Sequence, residues 1–209
     1  DIDFFVNRIE CYNPLTSENL IKMSQKVTEV TKDILPDQKI DCVAYGCTSG
    51  TIAAGYDLIK QKISLAKPDA KVTTPITSAI KALKKFNINK ISVFTPYTKE
   101  INDSVVKYFK NENIIINSLS YYDIASDLDI GKVDQDSLFK VLLFNDFFKL
   151  FFFLNLKFFK FTNFFMLVDK LEKKLNKIVL SSNQTLIWDS LNQIDFKEKI
   201  DGFGKLFNS

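Results

Sequence analysis

The residues of this chain that could carry out chemistry are concentrated in one short segment. An apolar run ending at Tyr45 is followed by Gly46, then Cys47, Thr48 and Ser49. A thiol at the start of a helix is exposed to the positive end of the backbone dipole, which favours its thiolate form. The N–H groups of the same first turn can bind a carboxylate. The pattern predicts a cysteine nucleophile beside a carboxylate site, a combination typical of an enzyme for a small organic acid.

Each candidate residue also has a purely structural interpretation. Cysteine is among the most buried residue types, and Thr and Ser commonly cap helices. The glycine turn and the adjacent hydroxyls favour a functional role for Cys47. For Thr48, Ser49 and Tyr97, which follows a Thr-Pro pair, both interpretations stay open. Cys42, inside the apolar run, is interpreted as a packing residue.

Strand-like and helical segments alternate along the chain. Apolar runs predict strands at 42–45, 71–74, 90–95, 114–119 and 178–180, and helical periodicity predicts helices at 20–34, 51–63, 75–83, 101–109 and 184–191. A further strand-like alternation covers residues 2–9. This order is typical of βαβ units and a mainly parallel sheet, so the predicted fold class is α/β. Ligands of such sheets bind beyond the carboxyl ends of the strands, where Cys47 and Tyr97 both fall.

The composition excludes several kinds of site. The 209 residues include no His, which removes the usual general base, the commonest zinc ligand and any Ser-His-Asp or Cys-His dyad. The three cysteines form neither a zinc pair nor a disulfide framework, so we expect no metal and a cytoplasmic location. No glycine-rich nucleotide motif is present, so we expect no cofactor. A net charge of +3 without a basic block before residue 140 disfavours a nucleic-acid partner.

One segment, residues 144–165, departs from the pattern. It holds more than half of the 20 Phe residues, and neither strand nor helix periodicity separates its apolar from its polar positions. Charged residues interrupt it, so it is a poor membrane-spanning helix, and an interfacial helix needs a cleaner apolar face. We therefore expect no membrane partner. Phe, Lys, Asn and Leu are also the residues that AT-rich DNA yields when it is read in a wrong frame.

Four motifs occur in an order that resembles the aspartate/glutamate racemase superfamily. They are Tyr-Gly-Cys-Thr-Ser-Gly at 45–50, Thr-Pro-Ile-Thr-Ser-Ala-Ile-Lys-Ala-Leu at 74–83, Phe-Thr-Pro-Tyr at 94–97 and Ser-Asn-Gln-Thr-Leu-Ile-Trp at 182–188. The branch that they resemble contains maleate cis-trans isomerase, arylmalonate decarboxylase and the ectoine-utilisation racemase-like proteins. Arg8 and residues 13–20 are also similar to that branch. The resemblance covers residues 1–140 and resumes near Asp169.

The resemblance implies an architecture of two similar parallel-sheet α/β halves, with a cofactor-free active site in the cleft between them. The first half would be residues 1–95, with an incomplete N-terminus and Cys47. The second half would be residues 96–209, interrupted by the aberrant Phe-rich segment 144–165, and its last helix would pack back on the first half. Members of the superfamily also imply a homo-oligomer, either a dimer or a tetramer.

The resemblance also assigns roles. Cys47 matches the first-half catalytic cysteine, Thr48 and Ser49 match hydroxyls that bind a substrate carboxylate, and Tyr97 matches a carboxylate-binding phenol. In a racemase, paired thiols exchange a proton at a carbon beside a carboxylate. In the isomerase, the cysteine adds to an alkene, allows rotation and is expelled. The implied activity is a cofactor-independent racemase or isomerase of a small dicarboxylic acid that acts through the Cys47 thiolate, similar to maleate isomerase.

Three departures from the family pattern keep alternatives open. The second-half Ser-Cys-Thr motif, expected near residues 158–160, is missing, and no family strand and loop precede Asp1. The Asn expected after Tyr97 is not obvious, since Asp127 and Asp129 are only neighbours in the pattern. The alternatives are a catalytically impaired remnant that at most binds carboxylates, or an enzyme similar to arylmalonate decarboxylase, which keeps only the second-half cysteine.

We hypothesise that residues 144–165 are an out-of-frame reading, or a decayed copy, of the second cysteine strand, because the family pattern returns cleanly at Asp169. Sequencing the coding DNA tests this. The expected result is a neighbouring frame that encodes a Ser-Cys-Thr-like strand at this position. The absence of such a frame would refute the frame-error hypothesis.

Overall fold

A computed structural model of the chain describes residues 2–144, 150–152 and 161–209. The strands are β1 Cys42–Ala44, β2 Lys71–Thr73, β3 Lys90–Thr95, β4 Ile115–Tyr121, β5 Leu150–Phe152 and β6 Val179–Ser181. The helices are α1 Ser17–Ser24, α2 Val27–Lys32, α3 Thr48–Ala54, α4 Tyr56–Ser64, α5 Pro75–Lys85, α6 Lys99–Asn111, α7 Asp127–Ile130, α8 Gln135–Phe144, α9 Phe161–Leu175 and α10 Ser182–Gln193. A 3-10 turn at Lys205–Asn208 follows.

All strand pairs within the described residues are parallel. β1 pairs with β2, and the other strands form a sheet in the order β4-β3-β5-β6. Helices connect consecutive strands, as a parallel arrangement requires. The predicted α/β class is confirmed. Because parallel strands present their carboxyl ends at one edge, the residues that follow β1 and β3 are directed to the ligand-binding side of the fold.

Local sequence signals explain where α5 and α10 begin. Thr74 caps α5, with its Oγ1 accepting from the Thr77 amide at 3.5 Å, and Pro75 occupies the first helical turn. Ser181 caps α10 through a capping box, in which the Ser181 Oγ accepts from the Gln184 amide and the Gln184 side chain accepts from the Ser181 amide. Both helices therefore begin directly after a strand, as the sequence predicts.

The structure differs from the predicted elements in three places. Residues 2–9 form no strand, and Phe4, Phe5 and Val6 are exposed, because an alternating segment becomes a strand only when another strand pairs with it. The helix predicted at 20–34 is divided into α1 and α2. The helix predicted at 51–63 is divided at Gly55, whose φ of +85° lies in the left-handed region and ends α3.

A polar cluster joins α10 to the first part of the chain. Asp189 is 2 % exposed, and its carboxylate accepts from the Lys81 ammonium at 2.7 and 2.8 Å and from the Ser78 hydroxyl at 2.9 Å. Thr73 and Ser190 hydroxyls lie 2.8 Å apart beside it. Since Asp189 and Ser190 lie on α10, these contacts fix that helix against α5 and the end of β2.

The Phe-rich segment is described only in part. The backbone of residues 150–152 forms β5, which lies between β3 and β6. The position expected for the second Ser-Cys-Thr motif, residues 158–160, lies outside the described residues, and so do residues 145–149. The division into halves at residues 95 and 96 stays a prediction; a division by sheets would place β3 with the strands that follow it.

Among the helices that the structure describes, none combines the length and the apolar content that a membrane crossing requires.

We expect the charge on Lys81 to stabilise the fold. Substitution of Lys81→Met leaves the buried Asp189 carboxylate without its cation, and we expect a loss of about 2–3 kcal/mol in the free energy of unfolding, since Lys81 is itself half exposed. Lys84→Met, in an exposed ion pair with Glu112, is the matched control and should cost no more than about 0.5 kcal/mol. Urea unfolding measures both. Equal unfolding midpoints for the two variants would contradict the expectation.

Candidate active site

Cys47 lies directly after β1 and caps α3. Its backbone is extended, and its Sγ accepts a hydrogen bond from the Gly50 amide at 3.2 Å. Its carbonyl accepts from the Thr51 amide at 3.0 Å and from the Thr51 hydroxyl at 2.7 Å. The thiol is therefore held at a strand-to-helix turn on the carboxyl edge of the β1–β2 sheet, and it is half buried.

Gly50 allows three side chains to approach the first turn of α3. A Cβ placed on Gly50 would lie 2.8 Å from Cys47 Sγ, 2.8 Å from the Tyr45 hydroxyl and 2.9 Å from Met23 Cε. Real Cβ atoms essentially never show distances under 3.0 Å, so the ends of these side chains would have to move. The thiol and a phenol hydroxyl thus converge on the same point above the Gly50 backbone.

The two hydroxyl residues that follow Cys47 lie beside the thiol. Ser49 Oγ is 3.8 Å from Cys47 Sγ. Thr48 is fully buried, and its Oγ1 has no partner among the described residues that meets both the distance and the angle of a hydrogen bond. An unpartnered buried hydroxyl is unusual in folded proteins and is often found where a ligand supplies the missing partner.

Tyr97 reaches the same place from the end of β3. Its backbone is fixed by Thr95, whose Oγ1 accepts from the Tyr97 amide at 3.3 Å, and by Asn102, whose Nδ2 donates to the Tyr97 carbonyl at 3.0 Å. Burial raises the pKa of the Tyr97 hydroxyl, and the hydroxyls of Ser49 and Thr48 partly oppose this rise. The four candidate residues from the sequence, Cys47 included, are therefore close together in the structure.

The protonation state of Cys47 differs from the sequence expectation. Burial raises the pKa of the Cys47 thiol above its ordinary value, and the Asp127 carboxylate adds to the rise. The Gly50 amide and the hydroxyls of Ser49 and Tyr45 lower the pKa but do not compensate for burial. The expectation that the helix start favours a thiolate considered only the local donors. Desolvation by the tertiary structure is the larger effect, and it favours the neutral thiol.

Two further residues lie near the thiol that sequence reasoning did not select. Cys11 has a pKa raised to about 12 by burial, by Asp127 and by Cys47. Asp127 begins α7, and its amide donates to Asn13 Oδ1 at 2.9 Å, which ties the N-terminal segment to this side of the molecule. No local sequence pattern predicts these contacts, because they join the N-terminal segment, the turn before α3 and the start of α7, which are far apart in the chain.

Tyr45 is a third residue that sequence reasoning did not select, although a signal was present. It lies two residues before Cys47, the spacing at which side chains of a strand share a face. In the structure a turn lies between the two residues, closed by the Cys47 amide and the Tyr45 carbonyl, and the Tyr45 hydroxyl and Cys47 Sγ converge above Gly50.

The described side chains offer no obvious metal site. Across residues 2–144, 150–152 and 161–209, no three His, Cys, Asp or Glu residues are grouped closely enough to hold a metal ion.

Comparison with known proteins identifies relatives of this chain. The family model described as arylmalonate decarboxylase matches residues 12–146. A maleate isomerase of Alcaligenes faecalis is 25 % identical over 111 residues, which are 50 % of this chain and 44 % of the relative. The chain thus aligns with about half the length of the curated relatives that it matches.

Solved structures show the same fold. The maleate isomerase Iso from Pseudomonas putida S16 superposes with a TM-score of 0.78 at 18 % identity, covering 94 % of this chain and 81 % of the other. A cysteine-to-serine mutant of the Nocardia farcinica maleate cis-trans isomerase, described with a covalently bound succinylcysteine intermediate, gives a TM-score of 0.82 at 16 % identity, with 96 % and 83 % coverage. At these identities the likeness establishes the fold alone.

We expect the Cys47 thiol of the free protein to ionise at a higher pH than an ordinary cysteine, because its neutral form is favoured by burial. The rate of iodoacetamide alkylation at Cys47, followed by mass spectrometry of its peptide, should therefore rise with pH and reach half its maximum above the pH found for glutathione. A midpoint at or below that of glutathione would show instead that the local donors outweigh desolvation.

Proposed function

Because this chain belongs to the arylmalonate decarboxylase family, we propose that it is a cofactor-independent racemase or isomerase of small dicarboxylic acids, similar to maleate isomerase, with Cys47 as its nucleophile. The observation that carries the proposal is the convergence of one thiol with the hydroxyls of Thr48, Ser49 and Tyr97 at the carboxyl ends of β1 and β3. Such edges are where α/β folds bind ligands.

The hydroxyls provide the binding part of the proposed site. Each is an O–H donor, and a carboxylate accepts hydrogen bonds from such donors strongly because it is charged. Thr48 Oγ1 makes no hydrogen bond of good length and angle among the described residues, and Ser49 Oγ lies 3.8 Å from the thiol, so both can donate to a bound carboxylate. Tyr97 adds a phenol from a different strand. A dicarboxylate held in this way would lie next to Cys47 Sγ.

The proposed reaction is addition of the Cys47 S–H across the double bond of maleate. The carbon–carbon π bond breaks, Sγ bonds to one alkene carbon, and the proton passes to the other carbon, which gives a succinyl thioether. Rotation about the new single bond follows. Loss of the proton and cleavage of the C–S bond then release fumarate and restore the thiol, so every atom is accounted for without a second reactant.

A thiol that is neutral in the free protein is compatible with this sequence. Nucleophilic attack needs the thiolate, which forms only as the proton leaves Sγ. In the proposed reaction the same proton ends on the neighbouring carbon, so a permanently ionised cysteine is not required. The Gly50 amide, which donates to Sγ, would stabilise the charge while it develops.

The isomerase reaction is favoured over a racemase reaction by the cysteine count. A two-thiol racemase needs a thiol on each face of the reacting carbon. The second-half Ser-Cys-Thr motif that would supply the opposite thiol is missing. Cys42 Sγ faces Thr73 Oγ1 at 3.9 Å, and Cys11, which lies near Cys47, belongs to the same N-terminal part of the chain. A reaction that begins with Cys47 alone depends less on a second thiol. The cytoplasmic location and the homo-oligomeric state stay predictions.

The missing Ser-Cys-Thr motif favours a second candidate function, a remnant that binds small carboxylates without turning them over. It differs from the first in one measurable respect, since binding would be kept while turnover would not. An arylmalonate decarboxylase-like activity would appear as loss of carbon dioxide from arylmalonates.

The test is a proton NMR screen of the purified chain with maleate, aspartate, glutamate, hydantoins and arylmalonates. We expect conversion of maleate to fumarate, at least a hundredfold loss of turnover in Cys47→Ser, and near-normal turnover in the control Cys42→Ser. Normal turnover in Cys47→Ser would refute the role of Cys47. Saturable maleate binding without turnover would support the binding remnant instead.

A further inference from the structure

We propose that Tyr45 is a positioning residue for the reactive thiol: its hydroxyl donates a hydrogen bond to Cys47 Sγ when that sulfur carries negative charge. The inference deepens the proposed function and rests on it in taking Cys47 as the reactive group. Tyr45 is not one of the residues whose hydroxyls are proposed to bind the substrate carboxylate, which are Thr48, Ser49 and Tyr97.

The backbone directs Tyr45 to this position. The Tyr45 amide donates to the Thr73 carbonyl at 3.0 Å, which continues the pairing of β1 with β2 by one residue. The Cys47 amide donates to the Tyr45 carbonyl at 2.9 Å, which closes the turn between them. The amide and the carbonyl of Tyr45 are thus both hydrogen-bonded. The Tyr45 hydroxyl and Cys47 Sγ each lie 2.8 Å from the point where a Gly50 Cβ would be.

The Tyr45 hydroxyl lacks a partner that its burial would normally require. Tyr45 is 8 % exposed, and its hydroxyl makes no hydrogen bond of good length and angle to any described residue. A buried polar group without a partner destabilises the fold, so it is retained where another state supplies the partner. A neutral thiol is a weak acceptor, whereas a thiolate is a strong one. Ionisation of Cys47 would therefore provide the acceptor that the phenol lacks.

Burial also fixes the direction of the hydrogen bond. It raises the pKa of the Tyr45 hydroxyl, with further contributions from Cys47 and Cys11, so the phenol keeps its proton. A protonated phenol facing a thiolate can act only as the donor. Tyr45 thus lowers the pKa of Cys47, in the same direction as the Gly50 amide.

Other groups around Cys47 act in the opposite direction. The Asp127 carboxylate of α7 raises the pKa of the thiol, as burial does. Cys11 of the N-terminal segment and Tyr97 after β3 also lie near the thiol. Each of them becomes negative when it ionises, as Cys47 does, and this repulsion raises the pKa of Cys11 and of Tyr97. The donors at Gly50, Ser49 and Tyr45 lower the pKa of the thiol and so favour a thiolate.

The test is the pH dependence of iodoacetamide alkylation at Cys47 in Tyr45→Phe, which removes only the hydroxyl. We expect the midpoint to rise by about one pH unit, so that alkylation below the midpoint is about tenfold slower. The free energy of unfolding should be unchanged or slightly higher, because an unpartnered buried hydroxyl is lost. A midpoint equal to or lower than that of the parent chain overturns the proposal.

Tyr56→Phe is the matched control. The Tyr56 hydroxyl donates to the Val72 carbonyl at 3.1 Å, so its removal should lower stability and leave the Cys47 midpoint unchanged. A general effect of losing a buried phenol would shift both variants alike and would overturn the assignment to Tyr45.

A second measurement uses the parent chain, in case Tyr45→Phe does not fold. Tyrosine labelled with ¹³C at Cζ should show one resonance, assigned to Tyr45, that shifts with the ionisation of Cys47 and does not shift in Cys47→Ser. A Tyr45 resonance that does not shift when Cys47 ionises refutes the contact. Neither experiment needs a substrate, so each proposal can fail separately. The substrate screen can show no turnover while the Tyr45 contact is established, and turnover can be found while the Tyr45 contact is refuted.

Discussion

The thiol of Cys47 is held by the amide of Gly50, and the space above that amide has room for a sulfur and a phenol but not for a side chain on residue 50. A Cβ there would come within 2.9 Å or less of Cys47 Sγ, the Tyr45 hydroxyl and Met23 Cε. The rest of the site follows from this packing. It sets the position of the first turn of α3, and with it the hydroxyls of Thr48 and Ser49 that meet Tyr97 from the second sheet.

The same packing leaves two hydroxyls of the candidate site unsatisfied. The buried hydroxyls of Tyr45 and Thr48, which flank Cys47 in the sequence, make no hydrogen bond of good length and angle among the described residues. Burial outweighs the donors around Cys47 and raises the pKa of its thiol. A charged intermediate would offer acceptors to these donors, so the groups that destabilise the free protein are those that would stabilise the reaction.

Much of the fold could be predicted from local sequence. Thr74 and Pro75 mark the start of α5, Ser181 and Gln184 form the cap of α10, and the apolar runs become parallel strands. The prediction was wrong for two different reasons. The alternation at 2–9 pairs with no strand of the described residues, an outcome that depends on distant parts of the chain, whereas Gly55 is a local signal that ends a helix which the apolar spacing alone would continue. Asp189 is buried only because Ser78 and Lys81 lie opposite.

The sequence by itself determined the fold class, the family and the short segment that carries the thiol, because each is written in contiguous residues whose types and spacing act locally. The tertiary structure decided which groups surround that thiol and whether it is charged. Asp127, Cys11 and Tyr97 approach Cys47 from elements far away in the chain, and the burial they share raises its pKa. Desolvation depends on everything packed around a group, so no local pattern encodes it.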